Sequence, residues 1–158
     1  MKVLFVGDVV ADVGRNMLRR NLPKLKRDLG VDLTIVNGEN SAVGNGMLPN
    51  SCEHIFSSGA DMITGGNHSL KRREIFEYLD RNESVLRPAN YGDGVWGKGY
   101  GIIDKGSYKI GVISLLGRVW LEGHLDPFQV ADDIIKEFNQ VTEEEIKAKE
   151  EIILREFE

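Results

Sequence analysis

The chain has 158 residues, 41% of them hydrophobic and 28% charged, with a formal net charge of -5. That length suits one domain with a buried core, the composition excludes a disordered or membrane class, and the acidic balance excludes a broad electrostatic nucleic-acid surface. No apolar run approaches the roughly 20 residues of a spanning helix, the amino terminus does not read as a signal peptide, and Cys52 has no second cysteine to pair with, so a reducing, cytoplasmic setting is expected.

In chain order, Val3-Leu-Phe-Val is continuous rather than alternating and predicts a buried parallel strand that ends at Gly7-Asp8. Asp12-Val-Gly14-Arg15 predicts a turn. A helix follows from about Asn16 to Leu29, with Met17, Leu18, Leu22, Leu25 and Leu29 inward, a kink or break at Pro23 and a stop at Gly30. Leu33 to Val36 is the second strand, headed by Asn37-Gly38-Glu39-Asn40, and residues 41–46 form a glycine-rich, flexible loop able to reach a ligand. Leu48-Pro49-Asn50-Ser51 opens a helix that runs to Ser58 and stops at Gly59. Cys52 and His54 lie on it and read as structural.

Met62-Ile-Thr stops at Gly65-Gly66 and presents Asn67 and His68. Lys71 to Leu79 then predicts a helix with Ile75, Phe76 and Leu79 inward, while Lys71-Arg72-Arg73 opposes its dipole unless solvated or met by a phosphate. Val85 to Asn90 is a short strand with a polar turn, and Tyr91 to Gly99 a loop carrying Trp96. Tyr100 to Asp104 and Tyr108 to Leu116 make a hairpin. Beyond it come a loop with His124, which can reach the site but reads first as a surface histidine, a helix from Gln129 to Phe138, and a second, charged helix opened by Thr142, with Ile146, Ile153 and Phe157 on one face. The expected division is a domain over 1–138 and a charged helix over 139–158.

Three segments therefore repeat one design, an apolar strand, a glycine and a polar head. A parallel sheet would gather Asp8, Glu39, Asn40, Asn67 and His68 at its carboxyl edge, where open α/β sheets bind ligands. Carboxylates and amide oxygens suit hard divalent ions. Such a set fits metal-assisted hydrolysis, with Glu39 between two ions, Asp8 and Asn67 outside, and His68 free to move a proton. Any one of these residues alone is better explained as a helix cap or turn former. A serine-hydrolase reading fails because Val9, which has no hydroxyl, follows Asp8, and no G-x-G-x-x-G follows the first strand to mark a dinucleotide site.

Met1-Lys-Val-Leu-Phe-Val-Gly-Asp-Val-Val10, Val36-Asn-Gly-Glu-Asn40, Gly66-Asn-His68, Leu86-Arg-Pro-Ala-Asn-Tyr91 and Leu116-Gly-Arg118 together resemble the amino-terminal part of the YmdB-like metallophosphoesterases, from Met1 to about Ile135. The resemblance implies a calcineurin-like α/β sandwich, here truncated, with a dinuclear iron or manganese site acting on phosphodiesters, 2',3'-cyclic nucleotides among them. It implies Asp8, Glu39, Asn40 and Asn67 as metal-site residues, Glu39 bridging, and His68 as catalytic. Members of that family are longer and bring three further metal-binding histidines from their later portion. Those have no counterpart here, so one weakly held ion, or none, is expected, and with it weakened activity. The alternative is an inactive remnant that binds nucleotide or another subunit. An uncovered sheet face or edge is also expected, closed by the last helix or by a second copy of the chain.

Overall fold

A computed structural model describes residues 1–121 and 123–156, with side chains through Thr142 except at position 122. The elements are β1 (Val3–Val6), α1 (Ala11–Leu29), β2 (Leu33–Asn37), α2 (Pro49–Ser57), β3 (Met62–Thr64), α3 (Phe76–Arg81), β4 (Val85–Leu86), β5 (Tyr100–Asp104), β6 (Lys109–Ile113) and α4 (Pro127–Glu156). β1 to β4 form a parallel sheet in sequential order, with Val3 opposite Leu33, Ile35 opposite Met62 and Ile63 opposite Val85. β5 and β6 make the expected antiparallel hairpin.

Sequential parallel strands with right-handed crossovers carry their helices on one face. On that face Leu18, Leu22, Val36, Cys52, Ile55, Ile63, Ile75, Leu79 and Val85 form one apolar cluster, flanked by Leu4 and Val6. The hairpin covers the other face, where Leu33, Ile35, Met62, Leu86 and Val112 close a second cluster with Ile103 and Ile110. The result is a helix, sheet and hairpin sandwich of the expected α/β class.

Four expectations are corrected. β1 is an edge strand, not a buried one: Val3 and Phe5 share the hairpin side with Leu33 and Ile35 but lie beyond that cluster, 46% and 57% exposed. The uncovered strip foreseen in the sequence is thus on β1. The first helix begins at Ala11 and continues through Pro23, and only Leu18 and Leu22 of its apolar residues are buried, whereas Met17, Leu25 and Leu29 are exposed. At the carboxyl end α4 is one helix, with no break near residue 139. Asn139-Gln-Val-Thr142 contains neither proline nor glycine, and Thr142 Oγ1 donates back to the Phe138 carbonyl at 3.0 Å, as a threonine inside a helix does. The side chains of Ile146, Ile153 and Phe157 lie outside the described ones. The third helix is shorter than expected, a 3-10 turn over Arg73–Ile75 leading into α3.

Gly30 (φ 61°) closes α1 as expected. Among the described residues no helix is long and apolar enough to cross a membrane.

Candidate active site

The first three strands deliver their polar heads to one rim, and backbone bonds tie the heads together. Val9 N–H donates to the Asn37 carbonyl and Ala11 N–H to the Asn40 carbonyl, both at 3.0 Å. Gly38 N–H reaches the Thr64 carbonyl at 2.9 Å, and Asn37 Nδ2 the Gly65 carbonyl at 3.2 Å. These bonds hold the turn after β1 in a costly shape, with Asp8 at φ 48° and Ala11 at φ 49°. A left-handed conformation costs roughly 1–2 kcal/mol at Ala11 and less at Asp8, a residue type that adopts it more readily. Such strain persists only where neighbouring contacts impose it, a pattern found at functional sites.

The side chains then form a continuous relay. Asn40 Nδ2 donates to Asp8 Oδ1 at 3.3 Å, and its Oδ1 faces His68 Nδ1 at 2.9 Å. The same His68 nitrogen is 3.0 Å from Glu39 Oε1. With two acceptors before it, Nδ1 carries a proton, and Nε2, on the far side of the ring, is free to meet a ligand. Asp8, Glu39, Asn40 and His68 are therefore brought together. Asn67 is exposed, lines the adjoining cleft beside His68 and is not part of the relay.

Two glycines are fixed by this packing. A side chain at Gly38 would meet Ile63 Cγ2 at 2.9 Å, and one at Gly66 would occupy the space of the Glu39 carboxylate. Ser69 secures Gly66: its hydroxyl accepts the Gly66 N–H at 2.8 Å and donates to the Gly66 carbonyl at 2.7 Å. Tyr91 Oη donates to that carbonyl too, at 3.0 Å. Burial, and then the negative charge of Glu39, push the Tyr91 hydroxyl above its ordinary range, so it stays a donor.

The loop over residues 41–46 is clamped, not free. Arg72 donates from Nη2 to the Val43 carbonyl at 2.7 Å and from Nε to the Asn45 carbonyl at 3.2 Å, while Arg15 bonds the Ser41 carbonyl and Asp12. Arg72 is thus neither merely solvated nor aimed at a phosphate. Cys52 is fully buried, with its thiol pushed up to about 12 by burial, in keeping with a structural role. On the same helix, desolvation and then Arg19 lower His54.

Beside His68 opens a cleft of about 530 Å³, bordered by Asn67, Lys71, Tyr91, Val95 and His124. His124 is half-buried there, its ring 4.8 Å from that of Tyr91 and tilted by 31°, which corrects the surface reading. A larger cavity of about 820 Å³ lies between the hairpin and α4 and includes none of the rim residues. Its wall sets Asp61, Glu83, Asp93, Asp133 and Glu137 against Arg87 and Lys98, which disfavours a phosphate.

Among the described residues, no three His, Cys, Asp or Glu side chains are grouped to hold a metal ion. The donors at the rim nonetheless fit a hard divalent cation in kind: two carboxylates and two amide oxygens, with Glu39 Oε2 held in the space left by Gly66. Such a set would supply only part of a coordination sphere.

A parallel sheet with an oxygen-rich carboxyl edge and a hairpin on its far face defines an α/β protein of the metallophosphoesterase type. The chain belongs to the YmdB-like protein family, whose pattern matches residues 4–154. It is 42% identical over 137 residues to the 2',3'-cyclic-nucleotide 2'-phosphodiesterase of Bacillus subtilis (strain 168), a match covering 87% of this chain and 52% of that protein. Two crystal structures are similar. A hypothetical protein from Thermus thermophilus superposes with a TM-score of 0.81 at 34% identity, over 87% of this chain and 53% of that one. A phosphatase from Mycoplasma pneumoniae gives 0.80 at 31% identity, over 87% and 51%. The chain spans about half the length of the curated relatives it matches.

Proposed function

We propose that this chain takes part in metal-dependent hydrolysis of small phosphodiesters, 2',3'-cyclic nucleotides among them, at the carboxyl edge of its sheet. The relay from Asp8 through Asn40 and His68 to Glu39 carries the proposal, and the similarity to the Bacillus subtilis enzyme supports it. Asp8, Glu39, Asn40 and Asn67 would hold divalent iron or manganese, with Glu39 the shared carboxylate. A cation bound there supplies electrophilic charge at phosphorus and makes a nearby water more acidic.

The chain's own contribution is orientation and a proton. Glu39 and Asn40 hold the His68 ring through Nδ1. Nε2 then faces the substrate. As water adds to phosphorus and one phosphate ester bond breaks, protonated His68 gives its Nε2 proton to the departing ribose oxygen. The proton lost by the water restores it. Asn40 links the position of this ring to that of Asp8 through its two hydrogen bonds.

A second, non-catalytic reading follows from the exposed strip on β1, where Val3 and Phe5 stand uncovered. Here the chain would act as a subunit or nucleotide-binding module, with a second copy laid over that strip. Sedimentation of the wild type and of Phe5→Lys tests it, with a dimer expected only in the wild type. The hydrolytic reading is tested by turnover of a 2',3'-cyclic nucleotide with added manganese. Turnover that is lost in Glu39→Gln and His68→Ala supports it, and turnover unchanged in both overturns it.

A further inference from the structure

We infer that the cleft beside His68 is a nucleobase subsite, with the Tyr91 and His124 rings as its stacking wall. The inference rests on the hydrolytic reading for which phosphate lies next to it, and on the cleft itself for the rest. Three observations carry it. The cleft opens directly from His68 and Asn67, so a ligand whose phosphate meets the relay extends into it. Its wall is a pair of rings, Tyr91 and His124, 4.8 Å apart and tilted by 31°. And the wall is fixed relative to the phosphate end, because Tyr91 Oη is bonded to the carbonyl of Gly66, against whose α-carbon the Glu39 carboxylate rests.

The chemistry selects an aromatic, uncharged body attached to an anion. Val95 and Leu70 add apolar surface to the ring pair, while Lys71, with no ion-pair partner among the described residues, adds a positive charge on the same border. A free phosphate uses only the charge. A sugar phosphate gains less, since its hydroxyls find Asn67 and Lys71 at the border but leave the Tyr91 and His124 rings and the apolar Leu70 and Val95 unused. A nucleotide uses both, with its base packed on the wall and its phosphate at the relay. The cleft volume of about 530 Å³ lies within the range of small-ligand sites. Stacking on a ring is tolerant of base identity, so a modest preference among bases is expected.

His124 is held there by an indirect anchor. Asn90 is fully buried and donates from Nδ2 to the carbonyls of Leu116 at 2.9 Å and Leu125 at 3.1 Å, while Leu125 N–H returns to the Asn90 carbonyl at 2.9 Å. The loop bearing His124 is thereby pinned to the residue next to Tyr91. Both rings of the wall are set from the same turn.

The test is calorimetric titration of the purified, manganese-loaded chain with adenosine 2'-phosphate, adenosine and inorganic phosphate, comparing wild type, His124→Ala and His124→Phe. The wild type is expected to bind adenosine 2'-phosphate more tightly than phosphate. His124→Ala should weaken adenosine 2'-phosphate and adenosine roughly tenfold, the scale of one stacked base, and leave phosphate unchanged. His124→Phe, which keeps a ring, should restore the loss. Equal affinity of all three proteins for adenosine 2'-phosphate overturns the subsite, as does an equal loss of phosphate binding. If adenosine binds in this pattern while cyclic nucleotides are not hydrolysed, the subsite stands and the hydrolytic reading falls. If hydrolysis occurs and His124→Ala leaves base binding untouched, the reverse holds.

Discussion

The Glu39 carboxylate rests against the α-carbon of Gly66, in the space that a β-carbon at position 66 would fill. Gly66 is required there by a side chain from the turn after β2 and not by its own backbone angles, since its φ is not among the positive ones. Gly66→Ala must therefore push the carboxylate out. Because the displaced group is the end of a flexible side chain, the fold can survive the change. We predict that Gly66→Ala lowers manganese affinity by roughly 10- to 100-fold, the usual effect of disturbing the residues that position a ligand, with little change in melting temperature. Titration followed by electron paramagnetic resonance, beside a thermal melt, checks both parts.

In the proposed reaction His68 protonates the leaving oxygen, so its importance should follow how badly that oxygen needs a proton. Removal of a general acid typically costs about 10²- to 10⁴-fold. His68→Ala is expected to lose that much on a 2',3'-cyclic nucleotide, whose departing ribose alkoxide is strongly basic. On a nitrophenyl phosphodiester, whose leaving group departs as a stable anion, the loss should be several times smaller. Parallel rate measurements on the two substrates give the ratio, and an equal loss on both would assign His68 to a different step.

Asp61 ties the β3 end of the sheet to α1 and to the hairpin. Its Oδ2 accepts the Thr34 N–H at 2.8 Å and meets Lys26 Nζ at 3.4 Å, and its Oδ1 meets Lys105 Nζ at 3.0 Å. Burial alone raises this carboxyl, but the Thr34 hydrogen bond and the two lysines outweigh it and set its pKa below the usual carboxylate range. A pKa lower in the folded than in the unfolded chain adds stability above the unfolded value, and that stability is lost as pH falls through the folded value. Asp61→Ala also strands the Thr34 N–H, at a cost of about 1–3 kcal/mol. We predict a lower denaturation midpoint at neutral pH and a smaller gap from wild type in strong acid, read from urea unfolding at both pH values.

Cys52 is fully buried and its thiol is pushed up to about 12 by its surroundings. Little thiolate exists at pH 8. Iodoacetamide should leave the folded chain unmodified and label it stoichiometrically in urea, as read by intact mass. Rapid labelling of the folded chain would contradict the buried position.

The parts visible in the sequence are those with a local signal. Val3 to Gly7, Leu33 to Gly38 and Met62 to Gly66 each carry an apolar run, a glycine and a polar head within a few residues, and three such runs fix both the parallel sheet and the rim. The hairpin from Tyr100 is equally local. What stayed hidden depends on matches between distant segments. The fit of Glu39 to Gly66 leaves no local trace, because its signal is a missing side chain complementary to one in a turn far away in sequence. His124 is placed by the bonds of Asn90, which no spacing reveals. Met17, Leu25 and Leu29 satisfy a helical period but fall outside the narrow stripe that α1 buries. Arg72 looked like a surplus cation because its carbonyl partners belong to the loop over residues 41–46.

Asp8 and Glu39 are proposed to meet one cation at the sheet rim. The most direct measurement is the metal content of the purified chain after loading with manganese, for the wild type, Asp8→Ala and Glu39→Ala at equal folded concentration. Bound manganese in the wild type and its loss in both variants is the predicted result. Equal metal in all three proteins would contradict it.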